Sequence, residues 1–194
     1  MARTPSTMLE LGTSLPPFSL PDLDGNLVSS ENFKNFPVLV MFICNHCPYV
    51  KHVIAKLSKL AKDYQEKGIK VAAINSNDIE HYPDDAPDKM KDFAELHNFS
   101  FPYLHDESQQ VAKVYQAACT PDFYLFDASH KLVYRGQMDS SRPNTTIPVS
   151  GEDLSRAVDN LLTGKPQAKE QLPSVGCNIK WKAGNEPDYF SIQV

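Results

Sequence analysis

The stretch Val38-Leu39-Val40-Met41-Phe42-Ile43-Cys44-Asn45-His46-Cys47-Pro48-Tyr49-Val50 decides the fold. Its first six residues are continuously apolar and follow directly on Pro37, a pattern that fits a β-strand buried on both faces. From Val50 onward the period changes. Val50, Val53, Ile54, Leu57, Leu60, Ala61 and Tyr64 fall on one helical stripe, Lys51, Lys56, Lys59 and Lys62 lie off it, and Gly68 follows as a stop. Pro48 suits a first helical turn, where its missing N–H would be unpaired in any case. A helix therefore begins at the second cysteine. Residues 69–74 repeat the apolar run, and strand, helix and strand in that order predict a right-handed parallel crossover within an α/β fold.

Outward from this unit, residues 16–30 read as a hairpin: Phe18 and Leu20 alternate with Ser19, and Asp24-Gly25-Asn26 supplies the turn before Leu27 and Val28. Residues 75–87 are polar and contain prolines, so a loop is expected there. A helix near 88–97, a short strand near 101–104 and another helix near 107–116 should follow. Residues 123–126 and 132–134 predict an antiparallel hairpin about a turn at 127–130, and residues 151–162 a closing helix ended by Gly164. The expected domain is 1–164. Residues 165–194 form a tail in which Val175, Cys177, Ile179 and Trp181 alternate with Gly176, Asn178, Lys180 and Lys182, as in a strand docked on the domain. That phase favours simple burial of Cys177.

A chain of 194 residues with 41% hydrophobic content can bury a real core. Its 24 acids against 19 bases are spread without long single-sign blocks, so neither nucleic acid nor a membrane is an expected partner. Residues 1–20 hold one arginine and no signal-like apolar run, and no stretch approaches the roughly 20 apolar residues of a membrane span, so a cytoplasmic location is expected. Four cysteines are too few for a disulfide scaffold. Two of them close together call for a chemical explanation.

A Cys-x-x-Cys at a strand-to-helix junction puts its first sulfur where unpaired amides and the helix dipole favour a thiolate. Such settings lower a thiol pKa from about 8.5 into the range of roughly 3.5 to 7.5. Cys44, ahead of the helix and expected to be exposed, is the candidate nucleophile, and Cys47 is placed to resolve the mixed disulfide. His46, if cationic, would stabilise the thiolate and make the disulfide more oxidising. The competing readings are a half-zinc site and two incidental buried thiols. Zinc needs about four ligands at characteristic spacing, and no second Cys-x-x-Cys or His-x3-5-His accompanies these residues, so no metal and no cofactor is assigned. A copper-handling protein using both thiolates with His46 is the remaining alternative.

Cys44-Asn45-His46-Cys47-Pro48-Tyr49-Val50, Phe101-Pro102-Tyr103-Leu104, Cys119-Thr120-Pro121-Asp122-Phe123, Tyr134-Arg135-Gly136 and Gly176-Cys177-Asn178-Ile179-Lys180-Trp181 together resemble the thioredoxin superfamily. Within it they are closest to the peroxiredoxin-like (AhpC/TSA, redoxin) branch. The resemblance implies a thioredoxin-like fold, with a central mixed sheet flanked by helices, an N-terminal β-hairpin and a docked C-terminal tail. It implies thiol-disulfide exchange with protein or small-molecule disulfides, and a recycling thiol reductase. It also places a cis-proline opposite the dithiol, at Thr120-Pro121.

Two departures stand out. With Cys47 aligned to the peroxiredoxin Pro-x-x-x-Thr-x-x-Cys motif, Cys44 takes the threonine position and Val40 the proline position, which leaves a thiol peroxidase (an antioxidant role) as the second reading. The tryptophan before the thioredoxin dithiol is replaced by Ile43, and the acid of the preceding strand is absent, so Cys47 needs another base. Asp122 is a candidate, its alternative being a solvated turn acid. Cys119 and Cys177 stand as auxiliary redox thiols or as core residues, and Arg135, Asp139 and Arg142 as a charged substrate rim or ordinary surface. His52, His81, His97, His105 and His130 show no ligand spacing.

Overall fold

The computed structural model describes residues 3–190. In chain order the elements are β1 (Arg3–Pro5), β2 (Ser19–Pro21), β3 (Leu27–Ser29), β4 (Val38–Phe42), α1 (Pro48–Glu66), β5 (Lys70–Asn75), α2 (Pro87–Leu96), β6 (Tyr103–His105), α3 (Gln110–Val114), β7 (Cys119–Thr120), β8 (Asp122–Phe126), β9 (Leu132–Gly136), α4 (Glu152–Leu162) and β10 (Val175–Asn178). Five strands form the central sheet in the order β6-β5-β4-β8-β9. The first three are parallel, β8 runs antiparallel to β4, and β9 antiparallel to β8.

The continuous apolar runs have a direct cause. Successive side chains of a strand face opposite ways, and both faces of this sheet are covered. Leu39, Met41 and Ile43 enter one core, with α1, α2 and α4, while Val38, Val40 and Phe42 enter the other. β5 divides in the same way, Val71 and Ala73 against Ala72 and Ile74, and so does β8, Phe123 and Leu125 against Tyr124 and Phe126. The second face is covered by the N-terminal segment through Leu9, Leu15 and Phe18, by α3, and by Ile179 and Trp181 of the tail. Among the described residues no helix is long and apolar enough to cross a membrane.

The N-terminal hairpin pairs Ser19 with Ser29, and its turn is closed by Asp22 Oδ1, which accepts from Asp24 N (2.9 Å) and Asn26 N (2.8 Å). Two expectations shift. The strand near 101–104 lies at β6, one to two residues later. The helix expected over 107–116 shrinks to α3, because Gln109 adopts φ 62° and turns its amide inward to Ser76 O (2.7 Å) and Lys180 O (2.9 Å).

The tail is built into a second, three-stranded sheet of order β1-β10-β7, with Cys177 opposite Arg3 on one side and Thr120 on the other. The period-two pattern read across residues 175–181 does not continue to its end. β10 stops at Asn178; Ile179 N bonds Ala118 O (3.0 Å) and Lys180 N bonds Asn77 Oδ1 (2.8 Å), so the chain leaves the ladder. Cys177 therefore joins the α1 core, and Ile179 and Trp181 the opposite one. Gly176 permits the approach: a Cβ there would stand 1.9 Å from Thr120 O and 2.6 Å from its carbonyl carbon. Gly176→Ala must push β10 off β7 and is expected to cost about 1–3 kcal/mol in urea denaturation. A loss within experimental error of zero would contradict this contact.

Candidate active site

Cys44, Asn45 and His46 fill the turn between β4 and α1, and Cys47 is the N-cap of α1 with extended backbone (φ −66°, ψ 123°) ahead of Pro48. Both sulfurs meet one residue. Cys44 Sγ lies 3.2 Å from Thr120 Oγ1, and Cys47 Sγ lies 3.2 Å from Thr120 O, to which its thiol donates. The Thr120–Pro121 peptide bond is cis. All four cysteines are unbridged. Cys44 is not exposed as the sequence suggested: it is 1% accessible and Cys47 is 0%. The loop after β5 and the tail close over them.

The residue that organises this cover is Asp85, which sequence reasoning missed. Its carboxylate is fully buried and accepts from Asn45 N (2.7 Å), from Asn77 Nδ2 (2.8 Å) and from His46 Nδ1 (2.6 Å). The last contact places the imidazole proton on Nδ1. Asn45 Nδ2 also donates to Asp84 O (2.8 Å), while Tyr103 Oη donates to Asn45 Oδ1 (3.0 Å). Tyr82 stacks on His46 with ring centroids 5.4 Å apart. His46 Nε2 is buried and has no hydrogen-bond partner among the described residues. Within residues 75–87 an Asp flanked by prolines signals only a turn. Its inward orientation comes from Asn45, Asn77 and His46.

The electrostatics follow from this packing. Burial alone would push Asp85 up, but hydrogen bonds from His46, Asn77 and Asn45 outweigh it and hold the carboxyl below its ordinary value. Burial, then the neighbouring Cys47 and the Asp85 charge, push the Cys44 thiol up. Cys47 is pulled down, first by the Cys177 thiol, then by the Cys44 thiol. Thr120 favours the opposite arrangement, with a hydroxyl able to donate to Cys44 and a carbonyl that accepts from Cys47. One negative charge thus has hydrogen-bond partners on either sulfur.

Cys177 joins the buried cluster of the dithiol, where the Cys47 thiol together with burial pushes its own thiol up. Cys119 stands apart. Its Sγ faces Pro121 O at 3.8 Å, on the side of β7 away from the Thr120 side chain. Asp122 is not a solvated turn acid. It is fully buried on β8, where burial raises its carboxyl to about 7, and it accepts from Tyr124 Oη (2.8 Å). Its charge acts on Cys119. Asp139 and Arg142 line a cleft with Tyr49, His52 and Pro121, whereas Arg135 is spent on Leu9 O and Gln171. Cys44, His46 and Asp85 offer ligand atoms within 4.8 Å of one another. A cation there would have to displace hydrogen bonds that Asp85 already accepts.

Residues 11–135 match the AhpC/TSA family. The chain belongs to that family. An uncharacterized conserved protein from Geobacillus kaustophilus has a similar structure, with a TM-score of 0.92, 55% identity, and 94% of this chain and 97% of that one covered. The thiol-disulfide oxidoreductase ResA of Bacillus thuringiensis is 24% identical over 67% of this chain and 71% of its own. A putative thiol:disulfide interchange protein DsbE from Chlorobium tepidum superposes with a TM-score of 0.63 at 21% identity, over 79% of this chain and 99% of that one. This AhpC/TSA protein therefore has a thioredoxin-like fold, as its motifs implied.

The two buried acids should respond to pH with opposite signs. Asp85 is held below the ordinary 3.8, so its stabilisation is full above that value and lost as pH falls through its lower, folded value. Asp85→Asn, which strands three donors, is expected to cost about 1–3 kcal/mol at pH 7, with the gap closing below pH 4. Asp122 keeps its proton in the folded state up to about 7, so its contribution falls as pH rises from 3.8 to 7. Relative to Asp122→Asn, the wild type should lose roughly 3 kcal/mol between pH 5 and 8. Urea denaturation across pH measures both, and differences that do not change with pH would refute the assignments.

Proposed function

We propose that this protein is a thiol-disulfide oxidoreductase that exchanges Cys44 and Cys47 with disulfides of proteins or small molecules, and that a thiol reductase recycles it in the cytoplasm. The observation that carries this reading is the convergence of both sulfurs on Thr120 at the N-terminus of α1, beside a cis-proline. Thiol-disulfide chemistry also fits the family and the ResA relative.

Cys44 attacks. It borders the His46 ring, which is partly exposed at 12% side-chain accessibility, whereas Cys47 is fully buried and meets Thr120 O and Cys177. As Cys44 attacks a substrate disulfide, its proton passes to Cys47, and the Thr120 hydroxyl donates to the Cys44 thiolate. The product is a mixed disulfide and one released substrate thiolate. Cys47 then attacks Cys44 Sγ and expels the second substrate sulfur, which takes the Cys47 proton and leaves as a thiol, so that a Cys44–Cys47 disulfide remains. Because both sulfurs are buried, the cover must open for each substrate.

Membership of the AhpC/TSA family favours a second reading, a thiol peroxidase in which a sulfenic acid forms and is resolved as a disulfide. Among the described residues neither sulfur of the dithiol is hydrogen-bonded to an arginine.

Reduction of insulin disulfides should fall to background in Cys44→Ser; activity that survives would overturn the assignment of the nucleophile. Stopped-flow oxidation by hydrogen peroxide should run no faster than with a free thiol, and a faster rate would favour the peroxidase. Stoichiometric copper or zinc in protein purified under reducing conditions would point instead to metal handling. His46→Ala is expected to make the reduction potential more negative in glutathione buffers, and an unchanged or less negative value would remove His46 from the chemistry.

A further inference from the structure

The tail contributes a third sulfur to the site. Cys177 on β10 lies directly opposite Thr120 in the ladder, and Thr120 is the residue that Cys44 and Cys47 both touch. All three cysteines belong to one buried cluster, in which the Cys177 and Cys47 thiols act on one another. Cys47 therefore meets the influence of both the Cys44 and the Cys177 thiols. The strand that carries Cys177 is held in place from several directions. Gly176 admits the Thr120 carbonyl where any side chain would clash, and Arg3 pairs with Cys177 on the far edge. Just past the strand, Lys180 exchanges hydrogen bonds with the loop after β5, its N–H to Asn77 Oδ1 (2.8 Å) and its carbonyl from Asp78 N (2.8 Å).

We infer that Cys177 is a redox thiol of this protein and that Cys47 passes its disulfide bond between Cys44 and Cys177. The inference rests on the exchange reading above, since it needs a Cys44–Cys47 disulfide as its starting state. From that state the Cys177 thiolate attacks Cys47 Sγ. The Cys47–Cys177 bond forms as the Cys44–Cys47 bond breaks, the electron pair leaves on Cys44, and the proton given up by Cys177 is taken by Cys44. Nothing external is oxidised or reduced in this step. Its products are a Cys44 thiol and a tail strand bonded covalently to the N-cap of α1. Cys119 takes no part, because its sulfur faces Pro121 O on the other side of β7.

The test uses the full chain with Cys44→Ser, treated with oxidised glutathione, alkylated and mapped by mass spectrometry. The expected result is a Cys47–Cys177 disulfide in most molecules, with Cys119 alkylated. A Cys47 capped by glutathione, or left as a thiol, overturns the relay. Should Cys44→Ser fail to fold, the wild type equilibrated over graded glutathione buffers serves instead. Both linked pairs are expected there, and Cys44–Cys47 alone at every ratio overturns the relay. Cys177→Ser isolates the exchange reading. If it forms no Cys44–Cys47 disulfide, that reading fails and the relay with it; if it does while Cys47 is capped in Cys44→Ser, only the relay fails.

Discussion

A buried carboxylate must have its oxygens satisfied or it will not stay ionised, and Asp85 meets that demand with donors from separate parts of the chain. Asn45 N and His46 Nδ1 come from the dithiol turn, and Asn77 Nδ2 comes from the start of the loop after β5. Asn77 in turn accepts from Lys180 N in the tail. One charge thus fastens the turn that holds the sulfurs to the loop and the tail that cover them. Its partners are also why the sulfurs are buried: the groups that satisfy Asp85 are the groups that close the site.

Within that enclosure Thr120 supplies what two coupled thiols require. A pair of sulfurs sharing one negative charge needs a donor for the anion and an acceptor for the remaining S–H, and Thr120 presents its hydroxyl to Cys44 and its carbonyl to Cys47. The Cys177 thiol acts on Cys47 and so favours the charge on that sulfur. A charge that is supported at either position can move during attack and resolution without a dedicated buried acid in β4. Asp122 is buried and titrates near neutrality, but its contacts run to Tyr124 and its field to Cys119, so it does not replace that acid.

Much of the scaffold was legible because its signal is local. Two-sided burial makes β4 and β5 continuous apolar runs, and the stripe from Val50 to Tyr64 has the period of the helix that buries it. Signals failed where distant contacts override a short pattern. Gln109 turns inward to carbonyls of Ser76 and Lys180, which shortens α3. The alternation through the tail breaks after Asn178, where Lys180 bonds Asn77 and the chain crosses from one core to the other.

The order of residues is enough to establish a dithiol at a strand-to-helix junction, with Thr120-Pro121 as its partner in a thioredoxin-like fold. These features follow from periodicity, turn chemistry and a family motif, all carried by neighbouring residues. Folding in three dimensions settled the rest: that Cys44 is covered, that an unremarkable Asp85 faces His46, and that Cys177 of the tail stands beside Cys47 while Cys119 faces away. Each of these joins segments far apart in the chain, and a local pattern carries no record of which distant group will satisfy a buried charge or border a sulfur.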